Sequence, residues 1–240
     1  MLSESTQSSK PLLTKYTAPV CVEYIWIGGS GELRSKTRIM PVPILSGNDF
    51  SCDHYPKWTY DGSSTNQATT NDSEIILEPY AVFKDPFRNE YNKLVLCNAY
   101  TSNNEPVSHN FRNKALEIFN KKIDEEPWFG LEQEYFIMDP KTKKPLGFPT
   151  NDNAVQGQYY CSIGGENAFG RQIVEEHLQK CLKANIKIAG VNAEVAPGQW
   201  EFQIGPCVGI EQGDHMYIAR YILQRVAEKY GLYISFDPKP

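Results

Sequence analysis

One pattern restricts what this chain can fold into more than any other. In the run Trp128-Phe129-Gly130-Leu131-Glu132-Gln133-Glu134-Tyr135-Phe136, carboxylates alternate with bulky apolar residues. Side chains of a strand alternate between faces. As a strand, this run sends Glu132 and Glu134 one way and Phe129, Leu131, Tyr135 and Ile137 the other, into a core. The two carboxylates then lie about 7 Å apart on one face and repel each other. An ordinary surface strand gains nothing from that repulsion, whereas a divalent cation would neutralise it.

Two more segments repeat the design. Between residues 188 and 195, Asn192 and Glu194 share a face, with Val191, Ala193 and Val195 opposite. After the break Ala196-Pro197-Gly198-Gln199, the run Trp200-Glu201-Phe202-Gln203-Ile204 sets Glu201 and Gln203 against three large apolar residues. If the three strands line one cavity, Glu132, Glu134, Glu194 and Glu201 converge on it. A set of oxygen ligands without Cys or His suits a hard cation, Mg²⁺ or Mn²⁺. Such ions commonly sit between carboxylates and substrate phosphates. Periodicity alone leaves a second reading open, in which these are the solvated outer faces of antiparallel strands.

The rest of the chain bounds the alternatives. Its 240 residues suffice for one large domain or two small ones. A formal charge of -5 without a basic cluster argues against nucleic acid as the main partner. Residues 1–17 lack a long apolar run and read as a flexible leader, neither signal peptide nor membrane anchor. The six cysteines include no C-x-x-C pair and no zinc-like spacing from a histidine. They read as reduced thiols of a cytoplasmic protein. The four histidines are scattered and form no local catalytic cluster.

Residues 20–27 and 32–40 read as strands joined by a hairpin turn at Gly28-Gly29-Ser30-Gly31. A loop rich in Pro, Gly, Asp and Ser is expected from 41 to about 73. Short strands are expected at 74–77 and 93–99, separated by Asp85-Pro86-Phe87-Arg88. Helical spacing predicts helices over 109–123, with Ser108 as N-cap, over 169–184 and over 215–230, the last ended by Gly231. A strand is expected at 232–236. The fold class is therefore α+β, with a small β-rich domain at 18–103 and a second domain at 104–240.

The literal strings add a resemblance. The run Trp58-Thr59-Tyr60-Asp61-Gly62-Ser63-Ser64-Thr65-Asn66-Gln67-Ala68 closely resembles the W-x-F-D-G-S-S-T signature of eukaryotic-type glutamine synthetases, with Tyr60 where that family usually has Phe. Asp85-Pro86-Phe87-Arg88, the stretch 128–135, Tyr159-Tyr160-Cys161, Asn192-Ala193-Glu194-Val195 and the stretches 199–206 and 236–240 match in the same order. The resemblance runs from about residue 18 to the last residue.

It implies a β-grasp-like domain followed by an α/β catalytic domain with a curved antiparallel sheet backed by helices. It also implies a reaction in which ATP phosphorylates the side-chain carboxylate of glutamate and ammonia displaces the phosphate. By residue-wise carry-over, Glu134, Glu194 and Glu201 match the ligands of one Mg²⁺ or Mn²⁺ site, and Glu132 matches a ligand of a second. ATP would contact Trp128, Glu132, Glu201, Phe202, Gln203, Ile204, Gly205 and Pro206. Asp61 matches the catalytic aspartate that attracts ammonium and removes its proton, in the site of the neighbouring subunit of a ring-shaped homo-oligomer. Glutamate, ammonium and ATP are the implied substrates, with no nucleic acid or membrane partner.

Family members continue past the point matched by Pro240, through a glutamate-binding loop, a metal-ligand histidine and several ATP-binding arginines. The chain by itself is therefore expected to be inactive. A non-catalytic structural or regulatory subunit of the same ancestry stands as the alternative, and a ligase using another amine as a third possibility.

Overall fold

The computed structural model describes residues 18–41, 50–149, 156–238 and 240. The leader expected at residues 1–17 lies outside them. Strands β1 (Val20–Ile27) and β2 (Leu33–Met40) form the expected antiparallel hairpin. Its turn closes through Gly31 N donating to Gly28 O at 3.1 Å, with Gly31 at φ +82°, where a Cβ would be strained. Strands β3 (Trp58–Asp61), β4 (Glu74–Lys84) and β5 (Lys93–Thr101) complete a sheet of order β2-β1-β5-β4-β3. The central pair, β1 and β5, is parallel.

Both faces of that central pair are buried, which accounts for its nearly continuous apolar sequence. Val22, Tyr24, Trp26, Val95 and Cys97 pack on one face with Tyr55, Ile75, Leu77 and Val107. Ile25, Leu94, Leu96 and, from β4, Phe83 face the other way.

Two departures from the sequence expectations have clear causes. The loop expected at 41–73 contains β3 and the single 3-10 turns Cys52–His54 and Gly62–Thr65. Four residues at a sheet edge are too short to give a readable alternation. The strand expected at 74–77 runs on to Lys84 through Pro79, because a register shift between Pro79 and Ala81 falls where the proline lacks its N–H.

Strands β6 (Trp128–Met138), β7 (Ile188–Ala193), β8 (Gln199–Val208) and β9 (Tyr233–Ser235) form a second, antiparallel sheet of order β7-β8-β6-β9. Helices α2 (Arg171–Lys183) and α3 (Glu211–Lys229) pack on its back. Helix α3 is the element that the two sheets share. Its Ile218, Ile222, Leu223 and Val226 belong to one core with Tyr135, Phe202 and Ile204 of the second sheet and Ile25, Leu94 and Leu96 of the first. Polar ties follow the same seam. Arg112 Nε and Nη2 each donate to an oxygen of Asp214 at 2.8 Å. Lys180 and Lys183 donate to the carbonyl of Pro86 at 3.4 and 3.3 Å. Asp85 is buried and accepts from Arg88 at 2.6 Å, which gives the Asp85-Pro86-Phe87-Arg88 run a structural use.

Helix α1 (Arg112–Asn120) begins three residues later than predicted, and Ser108 does not cap it. His109 is left-handed (φ +66°), and Asn110 Nδ2 donates to Ala99 O at 2.9 Å. The turn is thus bound to β5 before the helix can start. None of the α1 side chains is fully buried, and Ile118 stays exposed.

One buried ring makes the fold pH-sensitive. His177 on α2 is enclosed by the core, with Nε2 at 3.1 Å from Ala219 O and 3.1 Å from Cys181 Sγ. Burial disfavours its charged form and lowers its pKa to about 4. Above pH 6.5 the ring is neutral in both the folded and the unfolded chain. Below it the unfolded chain takes up a proton that the fold refuses, so stability falls as pH drops from 6.5 towards 4. Urea melts are expected to lose about 3 kcal/mol over that window from this group. His177→Gln should remove that component of the slope, and an unchanged slope would contradict the assignment.

Candidate active site

The register of the second sheet decides which acidic residues meet. Glu134 on β6 lies directly opposite Glu201 on β8, and Glu201 lies opposite Asn192 on β7. Directly opposed residues share a face, with Cβ atoms about 4.5–5.5 Å apart. Glu132 is opposite Gln203 on that same face. Glu194 follows β7, and its N–H donates to Gln199 O at 2.9 Å, which holds it at the mouth of the β7–β8 turn. The opposite face carries Tyr135, Trp200, Phe202 and Ile204, all buried against the helices. Glu132, Glu134 and Glu201 therefore lie on the front of two adjacent strands, with Glu194 just past the end of the third.

The electrostatics agree with this crowding. The pKa of Glu194 is raised, first by burial and then by the charges of Glu134 and Glu201. Glu201 is only 8% exposed. Among the described residues, no Lys, Arg or His forms an ion pair with any of the four. Neutral amides attend them instead. Gln199 Nε2 donates to Glu134 at 2.8 Å, Asn192 Nδ2 to Glu194 at 3.1 Å, and Gln203 Nε2 to Glu201. Gln203 Nε2 also reaches Asn192 Oδ1 at 2.8 Å, linking β8 to β7. In this side-chain arrangement, no three His, Cys, Asp or Glu side chains among the described residues form a group that could hold a metal ion.

The donor set nonetheless fits a hard divalent ion. It is made of carboxylate oxygens, it carries excess negative charge, and no cation among the described residues pairs with it. Amide side chains are weak competitors for such carboxylates, so turning Glu134 and Glu201 from Gln199 and Gln203 towards an ion costs little next to the charge it removes.

Beside the acidic face lies an open cavity of about 610 Å³. Its walls include Glu132, Gln203, Ile204, Gly205 and Pro206, five of the residues expected to contact ATP. Its shape depends on a bulge. Between Phe129 and Leu131 the β6–β8 register shifts by one residue at the cis Gly205–Pro206 peptide. Gly205 has φ +134°, and a Cβ there would sit 2.8 Å from Phe129 O. Only glycine lets the two strands approach so closely.

Not every predicted residue joins this face. Phe202 is enclosed in the core, with its ring centroid 5.0 Å from His177 and 6.0 Å from Tyr135. Its side chain therefore faces away from the cavity. Trp128, at the open end of β6, is 69% exposed and does not line the cavity. Phe129 and Leu131, expected in the core, are 37% and 43% exposed. On β6, Gln133 Oε1 accepts from Arg220 Nε of α3 at 2.7 Å, and Phe129 beyond it meets only the edge of α1, with Phe119 at a centroid distance of 5.3 Å.

Asp61 ends β3, the outermost strand of the first sheet, and caps the 3-10 turn Gly62–Thr65. Ser63 Oγ and Ser64 Oγ donate to it at 2.7 and 2.6 Å, and Ser63 N at 3.1 Å. These donors, that of Ser64 first, hold its pKa down to about 2. Among the described residues, these hydrogen-bond partners of Asp61 all belong to its own turn, and none to the second sheet.

Two neighbours escaped the sequence reading. Gln199 belongs to β8 and shares the face of Glu201, two residues on, although the sequence places it in the break before the strand. Tyr160 is exposed, and its hydroxyl pKa is raised by Cys161 and then by Glu194 and Glu201, which places it near the acidic face. The only sequence signal for it was the Tyr159-Tyr160-Cys161 string.

Comparison with known proteins gives this geometry a lineage. Residues 110–240 match the glutamine synthetase catalytic domain. Glutamine synthetase PR-1 of Phaseolus vulgaris is 50% identical over 232 residues, covering 95% of this chain and 64% of the relative. The chloroplastic glutamine synthetase of Brassica napus is 52% identical over 229 residues, covering 94% and 52%. A cytosolic isozyme of Medicago sativa is 50% identical. The chain thus spans between about half and two thirds of the length of these relatives. Among solved structures, a cryoEM Plasmodium falciparum glutamine synthetase superposes with a TM-score of 0.65 at 14% identity, over 92% of this chain and 48% of the other. A GmaS/ADP complex superposes with a TM-score of 0.66 at 15% identity, over 92% and 49%. At such identities the likeness concerns the fold. The catalytic-domain match covers more than half of the sequence, and the plant enzymes align from the first sheet through the second, so this chain belongs to the glutamine synthetase family.

Proposed function

We propose that the protein carrying this sequence is a glutamate–ammonia ligase, and that these residues supply its divalent-metal face and part of its nucleotide cavity. The single observation that carries the reading is the crowding of Glu134, Glu194 and Glu201 at one face, with no cation among the described residues paired to them. An uncompensated acidic cluster is costly unless something positive occupies it. Glu134, Glu194 and Glu201 would hold one Mg²⁺ or Mn²⁺ ion, and Glu132, at the wall of the cavity, would contribute to a second. Such ions supply charge neutralisation for ATP phosphates during phosphoryl transfer.

The chain's own groups have distinct tasks. The bulge at Gly205 keeps the cavity open beside Glu132 and Gln203, where the polyphosphate of ATP would lie. The γ-carboxylate of glutamate attacks the terminal phosphorus and ADP leaves. Ammonia then attacks the carbonyl carbon of the γ-glutamyl phosphate, and phosphate leaves with the bonding pair. Ammonium must lose a proton before that attack, and Asp61 is the proposed acceptor. With a pKa near 2 it is anionic at working pH and attracts ammonium, but it is a weak base while the two serines donate to it. Proton acceptance therefore calls for Asp61 to leave Ser63 and Ser64 as ammonium arrives. A cytoplasmic homo-oligomeric ring is part of the proposal. Among the described residues no helix is long and apolar enough to cross a membrane.

Two measurements test the reading. Titration of the 240-residue chain with Mn²⁺, followed by electron paramagnetic resonance, is expected to saturate. Glu134→Gln should weaken binding at least tenfold while making the metal-free protein more stable by about 0.5–1 kcal/mol, since it removes one of two directly opposed like charges. Undiminished Mn²⁺ affinity in that variant would refute the metal face. In the assembled enzyme, γ-glutamyl transfer to ammonia should fall about 100-fold or more in Asp61→Asn, with Mn²⁺ affinity unchanged. Near-normal turnover would remove Asp61 from the mechanism.

A further inference from the structure

The bulge that shapes the cavity beside the acidic face has weak support from its own sheet. Pro206 has no N–H to give. Around it β8 is out of regular register with both neighbours, with β6 between Phe129 and Leu131 and with β7 between Ile188 and Gly190. A stretch so irregular needs support from outside the sheet. We propose, on the ligase reading of that cavity, that His215 and Glu211 of α3 are positioning residues for the nucleotide, acting through Lys187 and Val208 on the wall at Gly205 and Pro206.

The contacts form two short relays. In the first, Gly205 N donates to Lys187 O at 2.8 Å, and Lys187 N donates to His215 Nδ1 at 3.1 Å. Both bonds use the backbone of one residue, so the imidazole fixes the carbonyl that holds Gly205. In the second, Glu211 Oε2 accepts from Val208 N at 3.1 Å and from Lys187 Nζ at 2.6 Å. One carboxylate thus ties the end of β8 to the residue before β7, on the two sides of the bulge. Ala189 and Pro206, both walls of the cavity, are each two residues from one of these anchor points.

The chemistry of His215 suits this task. A backbone N–H can only donate, so the bond from Lys187 requires a bare Nδ1 and puts the ring proton on Nε2, 3.7 Å from Glu211 Oε1. Burial lowers the pKa of His215, against the pull of Glu211 and with the help of Lys187, so the neutral, accepting ring prevails at pH 7. The ring is 8% exposed and meets Phe83 of the first sheet edge-on, with centroids 5.2 Å apart. Swinging it away from Lys187 would open the seam between the sheets. A residue kept only for packing would have no use for an acceptor aimed at Lys187.

The test compares His215→Asn with His215→Gln. An asparagine Oδ1 stands as many bonds from Cα as Nδ1 does, whereas a glutamine Oε1 is one bond farther out and matches Nε2. In the 240-residue chain, hydrogen exchange at the Gly205 amide is expected to quicken about tenfold in His215→Gln and to stay within about twofold in His215→Asn. Val95, on the central strand β5, should keep its rate in both. In the assembled enzyme, the KM for ATP should rise about tenfold in His215→Gln and in Glu211→Ala and recover in His215→Asn, with the KM for glutamate unchanged. A packing defect alone would lower the amount of active enzyme and leave both KM values in place. Gly205 exchange untouched by His215→Gln, or quickened no more than that of Val95, would overturn the proposal. So would equal damage from the two variants, or a faster Gly205 amide with the KM for ATP unmoved. An unmodified enzyme that turned over no ATP would instead remove the ligase reading, and the Gly205 amide would still decide whether His215 holds the bulge.

Discussion

The packing of the second sheet's back face on α2 and α3 fixes everything else about this molecule. Tyr135, Ile137, Trp200, Phe202 and Ile204 are buried there, together with apolar residues of α3. Because strand side chains alternate, burying these five leaves Glu132, Glu134 and Glu201 no freedom to face anywhere but forward. A register slip by one residue would bury the carboxylates and expose the aromatics, at a cost the protein could not sustain. The hydrophobic core therefore sets the positions of the charged groups without touching them. Through α3 the same core extends into the first sheet by way of Ile25, Leu94 and Leu96, so the two sheets hold one another in place.

That arrangement leaves the chain locally frustrated. Glu134 and Glu201 oppose each other across neighbouring strands, and Glu194 feels both charges. Gln199, Asn192 and Gln203 soften the conflict by donating to the carboxylates. They do not cancel the charge. Amides suit this role because they stabilise a carboxylate while remaining displaceable. A lysine or arginine in their place would form a permanent ion pair and exclude an incoming cation. In the proposed reading, the repulsion is a cost that a positive ion held at this face would recover.

The same physics governs what the sequence disclosed. The acidic front was legible because period-2 alternation over β6 and β8 encodes a face directly, and because Asn192 and Glu194 continue it. The hairpin β1–β2 was legible because its glycines supply the left-handed turn. Strand β3 was not, since four residues on a sheet edge carry too little pattern. The burial of Phe129 and Leu131 was misjudged because alternation reports which face a side chain takes, and not whether anything covers that face. The start of α1 was misjudged because Asn110 is captured by Ala99 O, a partner 11 residues away that no local cap rule anticipates. The hold of α3 on Lys187 left no trace in the sequence, as Glu211 and His215 meet that residue only on folding. The roles of Asp61 and Trp128 came from the family resemblance, with no periodicity behind them.

Asp61 lies apart from the acidic face. It sits at the outer edge of the first sheet, exposed, and spends its hydrogen-bonding capacity on its own turn. The acidic face belongs to the other sheet, and α3 and its core stand between the two central structures. A hinge that swung Asp61 onto its own acidic face would have to break that shared core, including the buried Arg112–Asp214 pair. Such a motion is far more expensive than bringing two copies edge to face. If Asp61 does accept a proton from ammonium bound near such carboxylates, those carboxylates are supplied by a neighbouring subunit. Docking of neighbouring copies edge to face is the arrangement that the proposed role of Asp61 calls for.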